Sequence, residues 1–165
     1  YFDDGETYNL RFPTYTISGA YTTIPSDVML SARVAAPVYG LGLLEAVSDA
    51  AILSRVDEND ADGDGISGRA NYVWDFVNHT TVLGRFGWKA NQPNLLQQTA
   101  AAYNQDIGIT SSIFPQESSF GQPQMDNLKD DPEISDSILH SVAFYVKTLA
   151  VPGRRNLENA QVIQG

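Results

Sequence analysis

The run DPEISDSILHSVAFYVKTLA, residues 131–150, carries the fullest set of helix signals in the chain and points to a mainly helical fold. Asp131 can cap the first free amides, Pro132 and Glu133 suit a first turn, and Ile134, Ile138, Val142, Tyr145 and Leu149 recur every three or four residues. The spacing predicts a helix from Asp131 to Leu149 with that stripe buried, stopped by Pro152-Gly153. A weaker apolar period at Leu157, Ala160 and Ile163 predicts a further helix starting near Asn156.

Working towards the N-terminus, Pro93 fits the first turn of a helix that runs to about Ile107, with Leu95, Leu96, Thr99 and Tyr103 on one side and Gly108 as its stop. Leu41 to Val47 predicts two helical turns. A second short helix follows, capped by Ser48 or Asp49, with Ile52, Leu53 and Val56 as its buried stripe. Between these elements, residues 18–39 and 109–131 are polar and broken by Gly and Pro, while Asn71 to Leu83 mixes aromatic and β-branched residues without a clear period. From Tyr8 to Ile17 the alternation of Tyr8, Leu10 and Phe12 with polar residues, interrupted at Pro13, predicts a short N-terminal strand or edge hairpin. The fold class is therefore mainly α, with long irregular loops and one short β element near the N-terminus.

Composition narrows the function. The 165 residues suffice for one domain with a core, at 42% hydrophobic and 18% charged. A net charge of −10 repels phosphate backbones, which argues against nucleic acid as a partner. No stretch approaches the roughly 18 apolar residues of a membrane span. There is no cysteine, so disulfides, thiolate nucleophiles and thioether-attached haem have no donor within these residues.

One stretch declares a chemistry. In DENDADGDGISGRAN, residues 57–71, acidic or amide side chains alternate and then give way to glycines, as in a loop that wraps a hard cation. Ca²⁺ takes six to eight oxygens at about 2.3–2.6 Å, and an EF-hand-type count puts Asp60, Asp62 and Asp64 at the first three odd positions. Gly65 then makes the turn, Ile66 offers its carbonyl, and Asn71 falls where a bidentate Glu would close the site. An amide brings one oxygen and no charge, so Asp57, Asn59 or Asp75 would have to add to the set. A solvated acidic turn is the competing reading, since Asp-Gly pairs form turns without metal.

Other candidates are more diffuse. His140 lies one helical turn from both Asp136 and Phe144 and near Lys147, which suits either acid–base work or a surface contact. His79 has no local partner in sequence. The segment Arg85-Phe86-Gly87-Trp88-Lys89 could bind an anion through Arg85 or relay electrons through Trp88, or could simply pack. Nucleophile-elbow, phosphate-loop, dinucleotide and zinc-protease motifs are absent.

Taken in order, Leu10-Arg11-x-Pro13-x-Tyr15, Ser31-Ala32-Arg33-Val34-Ala35-Ala36-Pro37, Gly40-Leu41-Gly42-Leu43-Leu44-Glu45-Ala46, Asp62-Gly63-Asp64-Gly65-Ile66-Ser67-Gly68-Arg69, Leu83-Gly84-Arg85-Phe86-Gly87-Trp88-Lys89-Ala90 and Leu149-Ala150-x-Pro152-x-Arg154-Arg155 resemble a bacterial family. It is the di-haem oxidoreductase family, whose members are also called thiol oxidoreductases and are related to di-haem cytochrome c peroxidases. The resemblance implies an exported parent, periplasmic or extracellular, with haem c attached through Cys-x-x-Cys-His motifs on both sides of this region. Residues 1–155 would be the middle segment carrying the calcium-type loop, and 156–165 the start of a following haem domain. The flanking haem domains would be its partners, and this chain alone would be inactive. Trp88, Arg85 and His140 are the catalytic candidates within it, and His79, His140, Met29 and Met125 the candidate haem ligands. The rival reading is a non-enzymatic, calcium-dependent binding module of the cell envelope.

Overall fold

The computed structural model describes Gly5, Thr7 and residues 11–164. It divides into two compact units, Tyr1–Ala35 and Ala36–Gly165. In the first unit the described residues from Arg11 onward form no helix or strand, and Phe12, Met29 and Val34 are exposed. The strand expected over Tyr8–Ile17 is absent from its described part, residues 11–17, while Tyr8–Leu10 lie outside the described residues. Pro13 offers no amide to a ladder, and no partner strand runs beside this stretch among the described residues.

The second unit contains, in order, α1 (Leu41–Ala46), α2 (Asp49–Leu53), β1 (Tyr72–Asp75), β2 (Thr80–Leu83), α3 (Leu95–Ile107), α4 (Asp136–Thr148) and α5 (Ala160–Gln164). Long irregular connections join them, as the sequence predicts. Strands β1 and β2 pair antiparallel, from Tyr72 opposite Leu83 to Asp75 opposite Thr80. The strand-forming residue types of 71–83 are therefore a hairpin, and the only sheet among the described residues lies here rather than near the N-terminus.

Helix α3 follows its stop signal and its apolar side, but Pro93 lies before the Asn94 cap rather than in the first turn. The Asn94 side chain accepts a hydrogen bond from Gln97 N at 2.8 Å, just after Pro93. At the other end Gly108 is left-handed with φ 77°, and the amides of Gly108 and Ile109 donate to Asn104 O and Tyr103 O, closing a Schellman-type cap. Leu95 and Thr99 are buried as expected. So are Gln97, Ala100, Ala101 and Asn104, which makes α3 the central element.

Helix α4 departs from expectation in start and in face. It begins at Asp136 with Ser135 as cap, so Asp131, Pro132 and Glu133 precede it. Those residues are occupied elsewhere: Thr110 N donates to Glu133 Oε2 at 2.9 Å, Glu133 N donates to Thr110 Oγ1 at 3.1 Å, and Thr110 Oγ1 donates to Asp131. Ile134 N completes the clasp by donating to Thr110 O at 3.2 Å. A distant hydroxyl and carbonyl thus outcompete the first helical turn. Its packed face is Leu139 and Ala143, with Val142 and Val146 half-buried, whereas Ile138 is 51% and Tyr145 62% exposed. The expected stripe of α2 is also not buried, since Leu53 and Val56 are exposed and Ile52 only half-buried. The last helix begins at Ala160, four residues after the expected start near Asn156.

Close approach sets the α1–α4 spacing. A Cβ added at Gly42 would lie 2.0 Å from the Lys147 carbonyl oxygen, and Gly40 N donates to Leu149 O at 2.8 Å. No side chain fits there without moving the backbone of α4. Gly42→Ala is therefore expected to lower stability by about 1–3 kcal/mol, the usual cost of overpacking. Thermal melting reads it, and an unchanged midpoint would refute the contact.

Candidate metal centre

The acidic loop hangs from α2 by a two-hydrogen-bond bridge. Asp57 N donates to Gly68 O at 2.9 Å and Gly68 N donates to Asp57 O at 2.8 Å. The neck is tight, because a Cβ at Gly68 would meet Arg55 O at 2.9 Å. Inside it the backbone turns through the left-handed region at Asp60 (φ 50°), Gly63 (φ 75°) and Gly65 (φ 84°), a sequence of conformations that only glycine and small polar residues adopt readily.

The carboxylates organise the turns. Ala61 N donates to both oxygens of Asp57 at 2.9 Å, and Gly65 N to both of Asp60 at 3.2 Å. Asp62 Oδ1 accepts from Asp64 N at 3.2 Å, and Asp64 Oδ1 from Ile66 N at 2.8 Å. As a result Asp57, Asp60 and Asp62 each offer an oxygen within 4.8 Å of the others. Two ligands at roughly 2.4 Å on opposite sides of one Ca²⁺ stand about 4.8 Å apart, so a single ion can touch all three. Asp57 and Asp60 are half-buried and Asp62 is exposed, leaving room for water to fill the remaining positions.

Of the five residues read from sequence as ligands, Asp60 and Asp62 are brought together. Asp64 lies outside that group, Ile66 is 69% exposed, and the Asn71 amide donates to Lys89 O at 3.0 Å and Ala90 O at 3.1 Å. The third carboxylate is Asp57, which a count beginning at Asp60 treats as an accessory. Its signal in the sequence is position: it stands immediately before the acidic run and at the neck that Gly68 closes.

Asp75 is not near that group. It is 4% exposed in the hairpin turn, where its carboxylate accepts from Val77 N at 2.8 Å, Asn78 N at 3.0 Å, Asn78 Nδ2 at 2.8 Å and Asn94 Nδ2 at 3.3 Å. Burial alone would raise its pKa, but the hydrogen bonds, led by the Asn78 side chain, hold it below the ordinary value of 3.8. This fixes β1 against the start of α3.

The other candidates take separate places. The Arg85 guanidinium, whose side chain is 11% exposed, pairs with Asp49 and donates to Val47 O and, at 3.4 Å, to Leu44 O. It therefore ties α1 and α2 to the loop after β2. Trp88 is 63% exposed. His140 lines an open cavity of about 580 Å³ with Glu45, Asn78, Asn94, Phe144 and Lys147. His79 is left-handed (φ 51°) in the hairpin turn, its ring 6.5 Å from that of Trp74. Met125 Sδ accepts from Gly121 N at 3.4 Å, and Met29 belongs to the first unit.

The sequence matches the family described as di-haem oxidoreductase, putative peroxidase, over residues 1–165. The chain belongs to the di-haem oxidoreductase family. No curated protein and no solved structure matches it. For a di-haem oxidoreductase the first question is whether these residues can hold the haem, and covalent attachment of haem c does not fit: with no cysteine, the stretch has no thiol to form a thioether. Of the catalytic candidates, Arg85 faces α1 and α2 while His140 lies on α4 at the cavity. No helix among the described residues of this di-haem oxidoreductase is long and apolar enough to cross a membrane.

Two measurements check these roles. Asp75→Asn should lower stability at pH 7 by about 1–3 kcal/mol, because an amide turned towards amide donors leaves buried groups unpaired. A carboxyl with a depressed folded pKa adds stability above its unfolded pKa and loses it as pH falls through the folded value. The gap between wild type and Asp75→Asn should therefore be full above about pH 5 and close below pH 3.8. Urea melts across that range test the sign, and a gap that widens on acidification would contradict it. Separately, Arg85→Met should cost roughly 1.5–3 kcal/mol, the scale for hydrogen bonds to a charged group, and raise amide exchange in α1 and α2. Unchanged exchange there would show that the guanidinium anchors neither helix.

Proposed function

We propose that residues 1–165 are a haem-free stretch of an exported, peroxidase-like di-haem c-type oxidoreductase, in which the loop at 57–71 binds Ca²⁺ as a structural brace. The family match over the whole of residues 1–165 carries this reading. The absence of cysteine supports placing both haem attachments in flanking sequence of a longer parent, before Tyr1 and after the 156–165 stretch. Redox chemistry then belongs to the haem domains, and the residues here supply scaffold between them. Apolar side chains such as Ile138, Phe144 and Tyr145, exposed on α4, support burial against those domains in the parent.

The calcium role rests on charge and distance. Three carboxylates within 4.8 Å repel one another, and a divalent cation removes that cost while crosslinking the neck of the loop to its tip. Asp57, Asp60 and Asp62 form the ligand core of this proposal, with Asp64 and the Ile66 carbonyl entering only if the loop tightens around the ion. None of Asp57, Asp60 and Asp62 lines the cavity that His140 borders, which supports a structural role for the ion.

Thermal melting of the chain in EGTA and in graded Ca²⁺ tests the brace. A ligand that binds only the folded state stabilises it by about 2.7 kcal/mol at a hundred times its dissociation constant. The expected result is a rising midpoint up to millimolar Ca²⁺, abolished in the double variant Asp60→Asn, Asp62→Asn and in Asp57→Asn. An unshifted midpoint at millimolar Ca²⁺ would remove calcium from the account while leaving the family assignment intact.

A further inference from the structure

We draw no further inference here: the strongest candidate, the apolar groove between α1, α3 and α4 lined by Leu41, Leu95, Thr99, Tyr103, Val142 and Val146, carries nothing because nothing in the structure shows what covers it.

Discussion

The helical part of this chain is joined at one carboxylate. Glu45, near the end of α1, accepts from the backbone amide of Leu95 at 2.9 Å and pairs with Lys147 near the end of α4. The accepted amide opens α3, where backbone donors have no partner inside the helix and a negative charge is favoured. One side chain therefore satisfies an orphan donor, neutralises a lysine and sets three helices in register. Gly42 makes that geometry reachable by letting α1 approach the α4 backbone. Arg85 repeats the device on the other side of α1, where its guanidinium takes the carbonyls at the helix end and the Asp49 carboxylate of α2. The acidic loop follows α2 in the chain, so its position depends on these two polar ties rather than on a large apolar core.

This dependence explains which elements could be read from sequence. Helix α3 is specified by neighbours in the chain: Asn94 caps it, Gly108 ends it, and both signals act within a turn. The start of α4 is not local. Asp131, Pro132 and Glu133 look like a first turn, yet Thr110, more than twenty residues earlier, holds both acidic side chains outside the helix. The helix type was legible and its face only in part: Ile134, Val142 and Leu149 are half-buried, but the docking against α1 and α3 turns Leu139 and Ala143 inward and leaves Ile138 and Tyr145 exposed. The hairpin was missed for a related reason. Its two strands are only four residues each, too short to show a period, and its turn is stabilised by Asp75 accepting from Val77 and Asn78 rather than by a glycine pair.

The acidic run was legible as an irregular loop, and Asp60 and Asp62, two of the residues read from it as ligands, lie together in the structure. Which third carboxylate joins them depends on the Asp57–Gly68 bridge, a pairing across the neck that no odd-position count contains. Asn71 is held elsewhere through its amide nitrogen. Its spacing suits a closing ligand, but the glycine-containing turn at 84–90 places the Lys89 and Ala90 carbonyls where they capture its amide. A backbone bridge across the neck and a side-chain hydrogen bond to distant backbone set these two placements.

Family membership and the absence of cysteine together separate scaffold from chemistry: the chain belongs to a redox family, yet these residues have no means of attaching haem c. The most direct test is peptide mapping by mass spectrometry of the product of the complete open reading frame, expressed in a host that matures c-type cytochromes. The account predicts two haem-bearing peptides, both outside residues 1–165, with every peptide from this stretch unmodified. A product that carries no haem-bearing peptide would contradict it.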